Sequence, residues 1–380
     1  MTPTTPNNEK RPLLAGGRKL DDLLFVTSLD RLATNIGVSA AKQAQAVILA
    51  AGQGWLDLGT EGKSVDDAVS KVRTVLKQKG YVGVVLIGGL DVVPAECLSV
   101  LDPSLRTRVD EKLRKSGGRG DSDNFIIWND DCYGDKDGDR LPELPVSRIP
   151  DGRNAALVMT QLQAVKGTVV LSTGVRNYDR PFAEGVFLRA TEGKGKLWVS
   201  EPTTPGNLNS QSLKGSLYFM LHGSDTDSTR YWGEDSEETV EAVNISNVPD
   251  SLSNCTIFLG CCWGALTAVP RASKYRVGDD LAPKTDKDSL ALAFLRSGAS
   301  AVVGCTGTHY SPDAEPFTYF GQPMHVSFWS GMRRELPPAR ALFQAKQEYA
   351  SQLPHGQMDL LSQAVELKIC RQFTCLGLGW

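Results

Sequence analysis

Two apolar stretches of the sequence end in residues that can do nucleophilic chemistry. SLYFML (216–221) leads into His222, and CTIFLG (255–260) leads into Cys261. A thiolate attacks carbonyl carbon, and a neighbouring imidazole either removes the thiol proton or, as imidazolium, lowers the thiol pKa. Because the carboxyl ends of parallel strands share one edge of a sheet, we expect His222 and Cys261 to meet there. The pair predicts acyl transfer in the form of amide hydrolysis.

Small neighbours of both residues suit this chemistry. Gly223 lets a substrate backbone approach, so we expect the N–H groups of Gly223 and Cys261 to hold an oxyanion. The plainer alternative is that a cysteine at a buried strand end packs as a small apolar residue, and that a single histidine is structural. His309, after the apolar run AVVGCTGT, is the second candidate base, but it has no glycine beside it.

The elements needed to position the pair follow an α/β pattern. The sequence predicts a strand at 23–28, helices at 29–53 and 65–80, and an unbroken apolar strand at 82–89 that is typical of a parallel sheet covered on both faces. The charged, Gly/Ser-containing segment 103–124 is interpreted as a flexible boundary. Further strands are predicted at 125–128, 144–149, 168–173, 216–223, 255–261 and 300–307, and further helices at 153–166, 288–298, 337–353 and 358–372. We therefore divide the chain into a mobile tail (1–19), an N-terminal α/β subdomain (20–102) and a larger catalytic subdomain (103–380).

Composition excludes several classes of protein. The 380 residues carry 41 basic and 44 acidic side chains, a formal charge of −3, which argues against a nucleic-acid partner. No stretch approaches the ~20 apolar residues of a membrane span, and the N-terminus has no signal-peptide core, so we expect a cytoplasmic protein without a membrane partner. The eight cysteines and four histidines show neither CxxC spacing nor a zinc-ligand pattern.

The segments FMLHG (219–223) and FLGC (258–261) resemble a clan of cysteine peptidases that includes caspases, legumain, clostripain, separase and the gingipains. YVGVVLIGGLDVVP (81–94) and YGDKDGDRLPELPVSRIP (133–150) resemble segments of the gingipain family most closely. The resemblance implies a three-layer α/β/α sandwich with a mostly parallel sheet, Cys261 as nucleophile and His222 as acid and base. Gly264 matches a Cys-x-x-Gly pattern of the clan and favours Cys261 over Cys262.

The same resemblance implies roles for acidic residues. Glu143, five residues before Arg148, takes the position of the family's third catalytic residue and would orient His222; the alternative is a solvated loop carboxylate. The resemblance also implies cleavage after Arg or Lys. Asp151 and Asp225 would make the cleft acidic and Trp232 would form a pocket wall, although Asn154 stands where spacing places the specificity acid.

Asp135, Asp137 and Asp139 stand at alternate positions, as in the first half of a calcium loop. Arg140 replaces the usual glycine, and no glutamate stands at the twelfth position, so an acidic turn is the alternative. The thiol chemistry itself requires no cofactor.

Together these observations predict a cytosolic cysteine endopeptidase acting on protein or peptide substrates. A cytosolic protease must be held inactive, so we expect an activating protease to cut within 103–124 or 268–287, in a bacterial stress or defence pathway. The alternatives are a non-catalytic caspase-like interaction module and a thiol transpeptidase that uses the same residues.

Overall fold

A ten-stranded sheet forms the centre of the protein. The computed structural model describes residues 13–60, 62, 64–117, 120–165, 170–200, 212–234, 239–312, 315–353 and 358–380. Its strands are β1 (Leu23–Thr27), β2 (Gly54–Asp57), β3 (Gly83–Ile87), β4 (Glu96–Ser99), β5 (Ile126–Asn129), β6 (Val146–Ile149), β7 (Leu171–Arg176), β8 (Lys196–Val199), β9 (Ser216–Met220), β10 (Arg230–Glu234), β11 (Thr239–Asn244), β12 (Thr256–Leu259), β13 (Ala268–Val269), β14 (Ala282–Pro283), β15 (Ala301–Cys305) and β16 (Phe373–Leu376).

Ten α-helices accompany the strands in the described ranges. They are α1 (Leu29–Ile36), α2 (Val38–Ala50), α3 (Val65–Gln78), α4 (Pro103–Ser116), α5 (Ala155–Gln163), α6 (Phe182–Thr191), α7 (Leu290–Arg296), α8 (Gln322–Arg333), α9 (Pro338–Gln352) and α10 (Leu360–Gln372). None of the helices in the described part of the chain has the length and apolar character needed to cross a membrane.

The strand order is β2-β1-β3-β6-β16-β15-β12-β9-β7-β8. The pairs β1–β2, β1–β3, β3–β6, β12–β15, β9–β12, β7–β9 and β7–β8 are parallel, whereas β16 is antiparallel to β15. β3 and β6 pair directly, so strands from both predicted subdomains belong to the same sheet. The expected α/β class with a mostly parallel sheet is confirmed.

Alternate residues of the central strands enter two different cores. In β12, Phe258 packs against Phe328 of α8, with ring centroids 5.1 Å apart. Ile257 and its alternate neighbours face the opposite side, where Phe219 of β9 stacks on Phe294 of α7 at 5.6 Å. Burial on both faces explains why these strands are continuous apolar runs without alternation.

Two local expectations were wrong, and a third element, the strand predicted at 125–128, is present as β5 but pairs outside the large sheet. The helix over 29–53 is two helices, because Gly37 adopts φ 88° between α1 and α2. The segment 103–124, expected to be flexible, contains α4, which the Asp102 side chain caps by accepting the N–H groups of Ser104 and Leu105. The predicted strand at 125–128 lies outside the large sheet, in a two-stranded ribbon with β4.

The loop 268–287, expected to be without structure, is partly ordered. β13 and β14 pair in antiparallel fashion, and a short 3-10 turn spans Ala272–Lys274. The loop packs on the β4–β5 ribbon, where Trp128 donates to the Pro270 carbonyl at 3.2 Å and its ring meets Tyr275 at 5.0 Å. Of the predicted tail 1–19, residues 1–12 lie outside the described residues.

Candidate active site

The ends of β9 and β12 bring the histidine and the cysteines together. The two strands are parallel neighbours, with Leu217 opposite Ile257 and Phe219 opposite Leu259. Beyond β9, His222 is fixed by a two-way backbone bridge to Trp232 of β10, at 2.8 and 3.0 Å between N and O. The expected meeting of the two strand ends is therefore present.

The His222 ring is held by a carboxylate that the sequence analysis missed. Oε1 of Glu234, at the end of β10, lies 2.8 Å from Nε2 of His222. Asn177, after β7, donates to the other carboxylate oxygen at 3.0 Å and has its amide nitrogen 2.9 Å from the same ring nitrogen. The charged carboxylate only accepts, which favours a proton on Nε2 and a basic Nδ1, whereas the Asn177 amide nitrogen at the same atom is itself a donor.

Glu234 is charged in this arrangement. Partial burial acts to raise its pKa, but the hydrogen bonds from His222 and Asn177 outweigh burial, so the pKa of Glu234 lies below its ordinary value. A charged carboxylate at Nε2 stabilises the imidazolium that forms when His222 takes up a proton.

Glu143, expected in this position, lies elsewhere. Its Oε2 accepts the Lys136 N–H at 2.6 Å within the acidic loop that follows β5. Asp135, Asp137, Asp139 and Glu143 offer carboxylate oxygens that all lie within 4.8 Å of one another. In the described part of the chain, His222 has Glu234 as its hydrogen-bonded carboxylate, whereas Glu143 belongs to the acidic loop.

The acidic loop has the oxygen ligands that calcium prefers. Asp135 is buried and forms an ion pair with Arg73 at 2.9 Å, while the other three carboxylates are exposed. Glu143 supplies the ninth position of the loop, counted from Asp135, so the carboxylates stand at positions one, three, five and nine. Calcium binding stays a prediction.

The two adjacent cysteines have different surroundings. Cys261 is fully buried in the core between β12 and α7, and its thiol faces the Leu221 N–H. Burial raises the pKa of Cys261 far above its ordinary value. Cys262 is only partly buried, and its Sγ accepts the N–H groups of His309, at 3.3 Å, and of Gly223. Thus the Cys262 sulfur contacts the N–H of Gly223, directly after His222, whereas the Cys261 sulfur contacts the N–H of Leu221, directly before it.

Burial also raises the pKa of Cys262, although the two amides and the nearby Lys368 ammonium act in the opposite direction. The sulfur is therefore a thiol at rest and needs a base to become a nucleophile.

The backbone of Gly223 lies directly against Cys262. A Cβ on residue 223 would lie 2.0 Å from the Cys262 carbonyl oxygen and 3.3 Å from its nitrogen. Only glycine fits, which explains the glycine after His222. The Gly223 N–H donates to the Cys262 sulfur, whereas the Cys261 carbonyl accepts the Gly264 N–H at 3.0 Å inside the turn.

A buried charged cluster supports the turn after Cys262. Lys368 is fully buried and lies 2.6 Å from Oδ1 of Asp121 and 2.8 Å from Oδ2 of Asp123. Asp123 also accepts the Thr308 N–H and, at 3.1 Å, the indole N–H of Trp263. Burial acts to raise the pKa of Asp123, but Lys368 and Thr308 outweigh it and hold the pKa below its ordinary value.

The three predicted substrate-binding residues have different positions. Asp151 is fully buried, and its oxygens accept the N–H groups of Gly89 (2.7 Å) and Arg153 (2.8 Å), so its side chain does not line a cleft. Asp225 lies two residues after Gly223 and is 18% exposed. Trp232 is partly exposed, and its backbone positions His222.

His309, the second candidate base, has its ring in the core. Nε2 lies 3.1 Å from Nε2 of His325, whose Nδ1 contacts the Tyr218 hydroxyl at 2.9 Å. Burial, with help from Arg180 and Lys368, lowers the pKa of His309 to about 3. The imidazole is neutral, and only the backbone of His309 meets Cys262. His355 lies outside the described residues.

Comparison with known proteins gives limited similarity. No family model matches, and no curated protein matches. Among solved structures, two crystal structures of the Saccharomyces cerevisiae separase–securin complex are similar, with TM-scores of 0.39 and 0.38 and 12% identity. They cover 72% and 73% of this chain, which spans 17% of the length of the separase chain in each.

Proposed function

We propose that this protein is a cysteine endopeptidase of the caspase-like clan, with Cys262 as nucleophile and His222 as acid and base. The observation that carries the proposal is the contact between the two segments. The sulfur of Cys262, a residue that is only partly buried, accepts the N–H of Gly223, the residue next to His222. Cys261 is the less suitable nucleophile, because a fully buried thiol cannot reach a peptide carbonyl.

Each residue of the site has a step in the proposed reaction. His222 Nδ1 removes the Cys262 proton as sulfur attacks the scissile carbonyl carbon, and the N–H groups of Gly223 and Cys262 stabilise the oxyanion. The C–N bond breaks as the imidazolium gives its proton to the leaving amine, which leaves a thioester on Cys262. Water, deprotonated by His222, then hydrolyses the thioester and restores the thiol. Glu234 and Asn177 act as positioning residues.

The proposed mechanism uses only the side chains and N–H groups named above and needs no metal. Calcium, if it binds the acidic loop, would act on stability, because Asp135 and Glu143 belong to a cluster separate from the ring of His222. Proteins or peptides are the proposed substrates.

Two variants with the same chemical change test the nucleophile. We expect Cys262→Ala to abolish hydrolysis of fluorogenic peptides ending in Arg or Lys, and Cys261→Ala to retain it. Peptide mapping after iodoacetamide treatment should find Cys262 alkylated before Cys261. Loss of activity in Cys261→Ala alone would return the nucleophile to Cys261, and unchanged hydrolysis in both variants would contradict the peptidase.

The same assay separates the alternatives. A non-catalytic module would cleave no peptide in any of the chains, whatever the order in which its cysteines are alkylated. A transpeptidase would transfer the acyl group to an added amine such as hydroxylamine in preference to water. For the peptidase we expect the free carboxylic acid as the main product when no amine is added.

A further inference from the structure

The side chain of Arg271 lies between two carboxylates beside the proposed nucleophile. Its Nη1 is 3.5 Å from Oδ1 of Asp123, and its Nε is 3.3 Å from Oδ2 of Asp225. Nη2 donates to the Ser122 carbonyl at 3.2 Å, and the guanidinium carbon lies 5.2 Å from the centre of the Trp263 ring. Two acids and an indole face are the surroundings that select a guanidinium.

The groups around Arg271 come from the segments that form the proposed active site. Trp263 follows Cys262, and Asp225 follows Gly223 by two residues. Asp123 accepts the N–H of Thr308, whose neighbour His309 donates to the Cys262 sulfur. A guanidinium in this position therefore adjoins the place where a peptide carbonyl would be attacked.

Arg271 is bound less closely than a structural arginine of the same protein. Arg148 is 1% exposed and makes five hydrogen bonds of 2.7–3.0 Å, two of them to Asp130. Arg271 is 14% exposed, and its contacts to Asp123 and Asp225 exceed the 2.7–2.9 Å of a strong charge-assisted pair. Arg148 is therefore a fixed structural side chain, whereas Arg271 is held loosely enough for another guanidinium to displace it.

Without Arg271, the carboxylates beside it would carry an unbalanced negative charge. Asp121 and Asp123 are two buried carboxylates, and Lys368 is one buried ammonium between them. Lys368 and Thr308 engage Oδ2 of Asp123, whereas Oδ1 faces the Trp263 N–H and Arg271. One negative charge of this cluster is thus balanced by Arg271, so removing Arg271 would leave a site that favours another cation.

We infer that Asp123, Asp225 and Trp263 form a guanidinium-binding specificity site for the arginine side chain of a substrate, and that Arg271 of the same chain fills it in this structure. The inference rests on the proposed function, because it takes the substrate to be a peptide that the protein cleaves. It gives the loop that carries Arg271 an inhibitory role, because an arginyl peptide must displace Arg271 before it can bind. Its neighbour Lys274, 3.3 Å from Asp225, balances the second acid from the exposed side.

Binding of a guanidinium compound tests the site without catalysis. The full chain carrying Cys262→Ala is compared with the same chain carrying also Arg271→Ala, with agmatine as the probe, by calorimetry and thermal unfolding. We expect saturable agmatine binding only when Arg271 is absent. Binding by both chains would show that Arg271 does not fill the site, and binding by neither would show that no guanidinium site exists; either result overturns the inference.

Control variants separate the site from a general charge effect. Arg276→Ala removes an exposed arginine of the same loop and should leave agmatine binding undetectable. Asp225→Asn, added to the Arg271→Ala chain, should weaken agmatine binding by at least about tenfold. Asp225 is chosen because changing Asp123 would leave Lys368 with an altered buried partner. If the Arg271→Ala chain does not fold, Arg271→Met is used instead in every experiment. The methionine keeps an apolar side chain against Trp263 and has no charge.

Hydrolysis by the chain with Cys262 intact distinguishes the two proposals. We expect Arg271→Ala to raise kcat/KM for arginyl peptides by at least about tenfold over both the parent and Arg276→Ala. Agmatine binding as expected with no hydrolysis in any chain would contradict the peptidase and leave the guanidinium site standing. Hydrolysis that is unaffected by Arg271→Ala, without agmatine binding, would contradict the site and leave the peptidase standing.

Discussion

Glu234 meets Nε2 of His222 at 2.8 Å from a strand that begins eight residues after the histidine. The β10–β11 hairpin therefore supplies both the backbone bridge at Trp232 and the carboxylate that orients the ring. The segment that follows His222 in the chain thus positions it, so the histidine and the Glu234 carboxylate form one local unit.

We expect Glu234→Gln to lower kcat by about 10²-fold with little change in KM, because the imidazolium loses its carboxylate while the substrate site is untouched. The folded pKa of Glu234 is depressed, so its charge persists as pH falls below the ordinary glutamate value and is lost only at the lower folded pKa. Steady-state kinetics across pH measures both effects. Glu241→Gln changes a glutamate of the same hairpin that pairs with Arg230, and it should keep kcat. Equal losses in both variants would contradict a specific role for Glu234.

We expect Gly223→Ala to abolish peptide hydrolysis and to lower the free energy of unfolding by about 1–3 kcal/mol, since the new Cβ meets the Cys262 carbonyl. Urea unfolding and the fluorogenic assay check the two parts. Gly185→Ala is the matched control: its Cβ meets nothing within 4 Å on helix α6, and it should raise stability by about 0.5–1 kcal/mol. An active Gly223→Ala enzyme would be inconsistent with the proposed oxyanion site.

We expect the free energy of unfolding to decrease as pH rises from about 4.5 to about 7, because the buried Glu366 resists losing its proton in the folded state. Burial raises the pKa of Glu366 to about 7, with a partly opposing hydrogen bond from the Phe320 N–H. A carboxyl with a raised folded pKa holds its proton more tightly when folded, so stability is greatest below the unfolded value and falls through this range, by up to about 3 kcal/mol. Urea unfolding at several pH values should show a shallower slope in Glu366→Gln. An unchanged slope would exclude Glu366 as its source.

We expect calcium to raise the Tm through the acidic loop, with about 2.7 kcal/mol of stabilisation at a calcium concentration of 100 Kd. Differential scanning calorimetry with calcium, magnesium or chelator measures the shift. Asp137→Asn should remove it, because Asp137 contributes one of the four clustered carboxylates. Asp110→Asn, an exposed acid on α4, is the control and should keep it. Equal shifts in both variants would contradict a site at this loop.

The sequence was sufficient to predict the buried strands, which are marked by continuous apolar segments. The strands ending near His222 and Cys261 could be predicted because buried parallel strands are continuous apolar segments, and their adjacency follows from the shared edge. The resemblance favoured Cys261 over Cys262, and the different contacts of the two sulfurs could not be foreseen, since they depend on how the chain turns after Leu259. Gly223, whose hydrogen atom faces the Cys262 carbonyl, is the signal in the sequence that marks the contact.

Other residues of the site were missed because they lie in polar or charged segments that give no clear strand or helix pattern. Glu234 stands in a polar hairpin with no long apolar strand, and Asp123 lies in a charged segment that was expected to be flexible. The signals for α4 in that segment were available, namely Asp102 before Pro103 and Gly117 after the last turn. Glu143 was assigned by resemblance, and its contact with Lys136 N–H could not be foreseen from spacing.

Strand β16 has a consequence for how the chain is made. Residues 373–376 lie between β6 and β15, so they join the block β2-β1-β3-β6 to the block that carries the cysteines. A nascent chain that has not yet exposed these residues has two half-sheets, each with an unpaired inner edge that could associate with other chains. The complete ten-stranded sheet therefore cannot form until translation has passed residue 376.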